Sequence, residues 1–180
     1  QVVAILDLSE ISARVVSGPV SVILGRELFD AGVWRLDFEG GTLEAVGPDE
    51  LPANGALALT DAHGIKQVDI LLNGFAVKAD FDLGNGNEVL LSRSFAEQAG
   101  LLDPANILGV KEGGGVGGAV ERTIVRVDRL EIGGHVLTGL TAAVSPNSDG
   151  ADANIGVSVL RQFGLIIDFP GNRVWLEAQP

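Results

Sequence analysis

Cysteine is absent from the sequence. That removes disulfides, thiolate metal sites and cysteine nucleophiles, while leaving the compartment open. Methionine is absent too, so the expectation is a processed chain or a fragment rather than a whole nascent product. Together with the acidic charge, this leans the localisation towards a periplasmic or exported protein. Basic residues are scarce, 12 Lys and Arg against 24 Asp and Glu. The resulting net charge of -12 argues against nucleic-acid phosphates and anionic membrane surfaces as partners; its plain reading is solubility. No apolar run reaches membrane-spanning length, and no charged-apolar-small leader opens the chain. What remains is abundant Val, Leu, Ala and Gly over 180 residues, enough for one sizeable domain or two small ones.

The apolar residues mostly alternate with polar ones, the two-residue period of half-buried strands. Val2–Leu6 reads as a buried strand, and Val15-Val16 and Val20–Leu24 continue in β-type residues. Arg26–Ala31 makes a short helix stopped by Gly32. Trp34, Leu36 and Phe38 pair with Thr42–Val46 in a hairpin. Residues 48–55, rich in Pro, Gly, Asp and Asn, have linker chemistry and separate residues 1–47 from a second unit, 56–180. In that unit Val68, Ile70 and Leu72 lead through Asn73-Gly74, a strong hairpin signal, into Phe75–Phe81. Ser94-Phe95-Ala96-Glu97 fits a capping box for a helix that Gly100 stops. Lys111–Gly118 reads as a mobile glycine loop. Val125 and Val127 then give way to Leu130 and Ile132 in the opposite parity, the mark of a bulge or bend. Strands are expected at Val136–Val144, Leu165–Phe169 and Arg173–Glu177, with a polar loop over 145–154 and a helix from Gly156 to Phe163.

The two ends of the chain repeat one another. Ile23-Leu24-Gly25, helix, glycine, Leu36-Asp37-Phe38, turn and strand match Asn154-Ile155-Gly156, helix, glycine, Ile167-Asp168-Phe169, turn and strand. Gly25 to Asp37 and Gly156 to Asp168 are both separations of 12 residues, and Gly40 and Gly171 fall in register as well. Agreement over this length reads as an internal repeat.

The stretch carrying the chemistry is Ala79-Asp80-Phe81-Asp82-Leu83-Gly84-Asn85-Gly86. It places an acid at the end of a buried strand, in a turn whose backbone amides can approach it, before Val89-Leu90-Leu91 turns apolar again. A carboxylate is costly to put there without a use. In order, the chain then offers the glycine loop 113–118 and Asn154-Ile155-Gly156 running into a helix. This set resembles the aspartic peptidases of the pepsin and bacterial retropepsin-like group: an Asp-Thr-Gly or Asp-Ser-Gly turn, a glycine-tipped flap, and an apolar-apolar-Gly segment opening a helix. The closing Ile167-Asp168-Phe169 and Arg173–Glu177 hairpin is similar to theirs as well.

The resemblance implies an all-β fold, a pepsin/retropepsin-like β-barrel lobe with short helices. Residues 56–180 would form a complete lobe, 48–55 a linker, and 1–47 the C-terminal part of a first lobe. It implies peptide-bond hydrolysis by water at an aspartate dyad, with no metal or other cofactor and a peptide or protein as substrate. Asp82 is the catalytic candidate; Gly84, Val116, Gly117 and Gly118 are the substrate-binding candidates, the last three as flap tip. The second aspartate must come from outside. If the lobes are alike, the 74 residues from Asp82 to Gly156 put its twin roughly fifty residues before Gln1, or else a homodimer partner supplies it. Asp7 imitates the motif, but 18 residues before Gly25 it leaves no room for a flap. Leu83 stands where the family has a hydroxyl that ties the two active turns together, and Asn85 where it has a small Ala or Ser. These departures motivate a second reading, a catalytically inactive peptide-binding or interaction module on the same fold.

Other motifs fail on context. Gly113-x-Gly115-x-x-Gly118 has the form of a phosphate loop but leads into a strand-type segment, Val120–Ile132. The Ser145–Asp152 loop lacks regular calcium-ligand spacing. His63 and His135 sit beside turn glycines and read as surface residues. No Gly-x-Ser-x-Gly elbow is present.

Overall fold

The computed structural model describes residues 19–86, 88–115, 118–146 and 150–178; the strands expected at Val2–Leu6 and Val15-Val16 lie outside them. Thirteen strands, three short α-helices and one 3-10 turn, Pro48–Glu50, are described. Eight strands form a sheet in the order β4-β5-β6-β11-β7-β10-β9-β8, and a further β5–β9 pairing closes it on itself. These are β4 (Thr60–Ala62), β5 (Ile65–Leu72), β6 (Phe75–Phe81), β7 (Val89–Leu91), β8 (Ile107–Gly115), β9 (Gly118–Ile132), β10 (His135–Val144) and β11 (Ala153–Ile155). A second, five-stranded sheet has the order β2-β1-β12-β13-β3. It comprises β1 (Val33–Asp37), β2 (Thr42–Ala45), β3 (Leu57–Ala58), β12 (Phe163–Asp168) and β13 (Arg173–Ala178). The architecture is the all-β one expected, with helices α1 (Arg26–Phe29), α2 (Arg93–Gln98) and α3 (Val157–Leu160).

The alternation in the sequence maps onto burial. Val68, Ile70 and Leu72 of β5 face inward beside Val77, Ala79 and Phe81 of β6. Leu91, Val125, Leu130, Ile155, Leu165 and Val174 join them in one core. Asn73 and Gly74 both adopt positive φ, 48° and 86°, the mirror-image turn that suits the twist of a two-residue hairpin.

Four local expectations change. Val20–Leu24 is part of no strand among the described residues. The glycine run 111–115 belongs to a ladder, Lys111 opposite Arg122 and Gly115 opposite Gly118, because the strand-forming side of the hairpin, β9, templates the weak one. Helix α2 opens two residues earlier than the capping-box reading: Ser92 is its cap, its Oγ accepting the Phe95 amide at 3.1 Å. Helix α3 is shorter than expected, since pairing of Phe163 with Ala178 draws that residue into β12. The parity switch along β9 is a bend. Val127 and Leu130 are both buried, the β9–β10 register is the same on either side of Asp128 and Gly139, and β9 turns to meet Leu71 and Leu72 of β5. The bulge itself lies on β8, between Ile107 and Gly109.

The matching ends have matching structures. Gly156 lies 131 residues after Gly25, and the same offset carries α1 onto α3 at both ends. It also carries the β1–β2 register, Asp37 opposite Thr42, onto that of β12–β13, Asp168 opposite Arg173. Asp37 Oδ1 accepts the Gly40 amide at 3.0 Å and Asp168 Oδ1 the Gly171 amide at 2.7 Å. Moreover β1 pairs antiparallel with β12, and Arg35 stands opposite Ile166, its own counterpart. An antiparallel pair centred on equivalent residues has a local two-fold axis there.

Removing the buried Ser92 hydroxyl by Ser92→Ala is expected to cost about 1 kcal/mol in urea unfolding. Ser94→Ala should cost less than about 0.5 kcal/mol; equal losses would restore the capping-box reading.

Candidate active site

Strand β6 buries Phe81 and ends at Asp82, whose amide donates to the Ile155 carbonyl at 3.0 Å. Strand β7, which follows the turn, does not pair with β6. Instead β11 lies between them, parallel to β6 and antiparallel to β7. The Asp82 turn is therefore pinned where three strands meet. The Asn85 amide returns to the Asp82 carbonyl at 3.2 Å, closing a four-residue turn.

Both carboxylate oxygens of Asp82 are held. Oδ1 accepts the Gly84 amide and Oδ2 the side-chain amide of Asn154, each at 2.8 Å. Asn154 Oδ1 accepts from Asn85 Nδ2 at 2.8 Å, and that nitrogen also reaches the Glu88 carbonyl at 3.2 Å. The Asn85 carbonyl takes the Val157 amide at 2.8 Å, passing so close to Gly156 that any Cβ there would overlap it. An ionised carboxylate offers about four acceptor sites. Two are spent on orientation, so the others can meet a water or a substrate proton.

Asp82, Leu83 and Gly84 border a cavity of about 250 Å³ that Leu24, Gly25 and Arg26 also line. Leu83 is half-buried and packs on the core. Lys66, 4% exposed, also lines the cavity. Its ammonium bonds Asp61 at 2.7 Å and the Asn172 side chain, and lies 5.8 Å from the Phe169 ring centre. Arg26 reaches Asp61 at 2.8 Å and the Gly64 carbonyl at 2.9 Å. The Lys66 bond, reinforced by Arg26, holds the Asp61 carboxyl below its ordinary value despite some desolvation. This chain of contacts fastens α1 to the β4–β5 turn and to the turn after β12.

Of the residues singled out from sequence, the structure brings Asp82 and Gly84 together. Val116 and Gly117 lie outside the described residues. Gly118 opens β9 opposite Gly115 at the end of the hairpin, and the described cavity wall does not include it. A contact does link that hairpin to the turn: Lys111 Nζ bonds Glu88 Oε1 at 2.6 Å. His63 is exposed, whereas His135 is half-buried with its ring 4.9 Å from that of Phe163. Residues 147–149 of the loop weighed for calcium lie outside the description. Sequence reasoning missed Asn154 and Lys66 as site residues. Asn154 had left a signal, a polar residue where the matching segment has Ile23; Lys66, in an alternating strand, had left none.

The geometry is thus a carboxylate oriented by a glycine turn, in a closed β-sheet that also carries a glycine hairpin. The Aspartyl protease family model matches residues 68–159, a little over half of the chain, and the chain belongs to that family. Among solved structures it is similar to a retropepsin-like aspartic protease from Rickettsia conorii, with 18% identity and a TM-score of 0.53. That likeness covers 66% of this chain and 86% of the other, and it supports the fold. No curated protein matches the sequence.

The Lys111–Glu88 bond gives a pH prediction. Burial pushes the Glu88 carboxyl up, but the Lys111 bond and a backbone amide outweigh it and hold the group below its ordinary 4.5. The bond therefore stabilises the fold above the ordinary carboxylate range and loses that contribution as pH falls through the lowered value. Lys111→Met is expected to raise the Glu88 midpoint in a carbon-detected NMR titration. The stability gap to wild type should close in acid.

Proposed function

We propose that the chain contributes half of an aspartic endopeptidase site, with Asp82 as one of two carboxyl groups that activate a water against a peptide carbonyl. The observation carrying this reading is the Asp82 carboxylate itself, oriented through both oxygens by Gly84 and Asn154 at the border of a cavity. Two carboxyl groups facing each other cannot both ionise readily, so one keeps a proton. The ionised member takes a proton from water as the oxygen attacks the carbonyl carbon. The protonated member donates to the carbonyl oxygen, and the resulting tetrahedral species collapses with proton transfer to the leaving amine. Gly84 and Asn154 hold the Asp82 oxygens in place and free it from competing rotamers. The glycine hairpin 113–118 is assigned to close over an extended peptide and exclude water. Residues 56–180 would form one lobe, residues 1–47 the end of another, and residues 48–55 the linker between them.

Leu83 supports a second reading. Its side chain packs on the core and offers no hydroxyl to a facing turn, as a peptide-binding module without hydrolysis would tolerate.

The test is cleavage of an unfolded protein substrate by the full-length protein and by its Asp82→Asn variant. A fall of about 10²–10⁴-fold in kcat/KM with unchanged peptide affinity is expected. Undiminished cleavage contradicts the role of Asp82, and peptide binding with no cleavage by either protein selects the second reading.

A further inference from the structure

We infer that Arg122 selects the substrate: its guanidinium takes the carboxylate of an aspartate or glutamate in the peptide that lies between the glycine hairpin and Asp82. The inference rests on the peptidase reading above and names a substrate class for it.

The first observation is how charge is sorted across the hairpin. Lys111 stands opposite Arg122, and Glu112 opposite Glu121. Successive residues of a strand point to opposite faces, so one face of the hairpin carries two cations and the other two anions. Like charges directly opposite each other are unfavourable. Glu112 and Glu121 are exposed, where water weakens their repulsion. The cationic face is turned to the end of the Asp82 turn, because Lys111 Nζ bonds Glu88 Oε1 at 2.6 Å. Burial raises the Glu88 carboxyl, while the Lys111 bond, a backbone amide and the charges of Lys111 and Arg122 lower it. One carboxylate thus serves two cations.

The second observation is Arg122 itself. Lys111 holds Glu88 by a hydrogen bond, whereas Arg122 makes no hydrogen bond or ion pair among the described residues, and its Nε is buried. A guanidinium is always ionised and presents five donors in a planar fork. Leaving such a group half-buried without an acceptor is costly. Gly113 makes the room for it. A Cβ at that position would lie 3.0 Å from Arg122 Nη1 and 3.5 Å from its Cζ, so the guanidinium lies across the hairpin's own glycine. The φ of Gly113 is not positive; space for Arg122, rather than a turn, is what glycine supplies there.

A run of contacts connects this group to the reacting carboxylate. Asp82 Oδ2 accepts from Asn154, Asn154 Oδ1 accepts from Asn85, and Asn85 Nδ2 also reaches the Glu88 carbonyl. Glu88 in turn meets the cationic face of the hairpin. An extended peptide closed beneath the hairpin, with its cleaved bond at Asp82, therefore passes Arg122 a few residues from that bond. The backbone carbonyls of any peptide could satisfy single donors. Only a carboxylate brings two parallel acceptors together with the missing negative charge. The net charge of -12 opposes acidic peptides in general, but salt screens it beyond about 8 Å. The preference is therefore local, confined to the position that meets Arg122.

The probe is a synthetic peptide library in which one position at a time is fixed as Glu or Gln and the others are an equimolar mixture, given to the full-length protein. At one position kcat/KM for Glu is expected to exceed that for Gln by about 10–100-fold. The ratio should collapse in Arg122→Gln and survive in part in Arg122→Lys. Because it compares two peptides on one protein sample, a loss of folded protein does not move it. No preference for Glu at any position, or a preference that survives Arg122→Gln, overturns the inference. Equilibrium binding of the same library to Asp82→Asn, with and without Arg122→Gln, separates the two claims. Arg122-dependent affinity for the Glu peptides without Asp82-dependent cleavage retires the peptidase reading alone. Asp82-dependent cleavage with no preference for Glu in rate or affinity retires the role of Arg122 alone.

Discussion

The site depends on one insertion, β11 between β6 and β7. Two strands joined by a short turn would ordinarily pair with each other, leaving the turn at a solvent-exposed tip. Here Ala153–Ile155 separates them, and the Asp82 turn is bound from below by the Ile155 carbonyl and from the side by Asn154 and Val157. A carboxylate beside a hydrophobic core is expensive unless hydrogen-bonded. The insertion provides the bonds and thereby fixes the direction in which the carboxylate points. Gly156 is the steric condition for it, since the Asn85 carbonyl passes over its Cα.

The second organising contact is β1 on β12. It joins the two matching helix–hairpin segments about a local two-fold axis, and Leu24–Arg26 line the same cavity as Asp82. The Arg26–Asp61–Lys66–Asn172 chain secures the same relation through charge. Lys66 is almost wholly buried and paired, an arrangement more telling for specificity of placement than for stability, because desolvation offsets most of the Coulomb gain.

Much of this was legible in the sequence because the signals were local. Alternation marked β5, β6 and β9, Asn73-Gly74 fixed a hairpin, and Asp82-Leu83-Gly84 marked the turn. The equal spacing of Gly25–Asp37 and Gly156–Asp168 foreshadowed equal helices and hairpin registers. What was illegible depended on distant partners. The glycine run 111–115 is a strand because β9 pairs with it, not for any propensity of its own. Phe163 leaves the helix because Ala178 is opposite it, and Ser92 caps α2 in place of the Ser94 box. Asn154 orients Asp82 across 72 residues, a relation that only the β11 insertion creates. Val22–Leu24 has the composition of a strand but joins none among the described residues.

The most direct measurement is kcat/KM for peptide cleavage by the full-length protein across the pH range. Two carboxyl groups acting as base and acid require a bell-shaped profile with both limbs set by groups of the carboxylate class. Cleavage that instead rises to a plateau persisting in base would contradict it, because such a rate does not depend on a protonated carboxyl group.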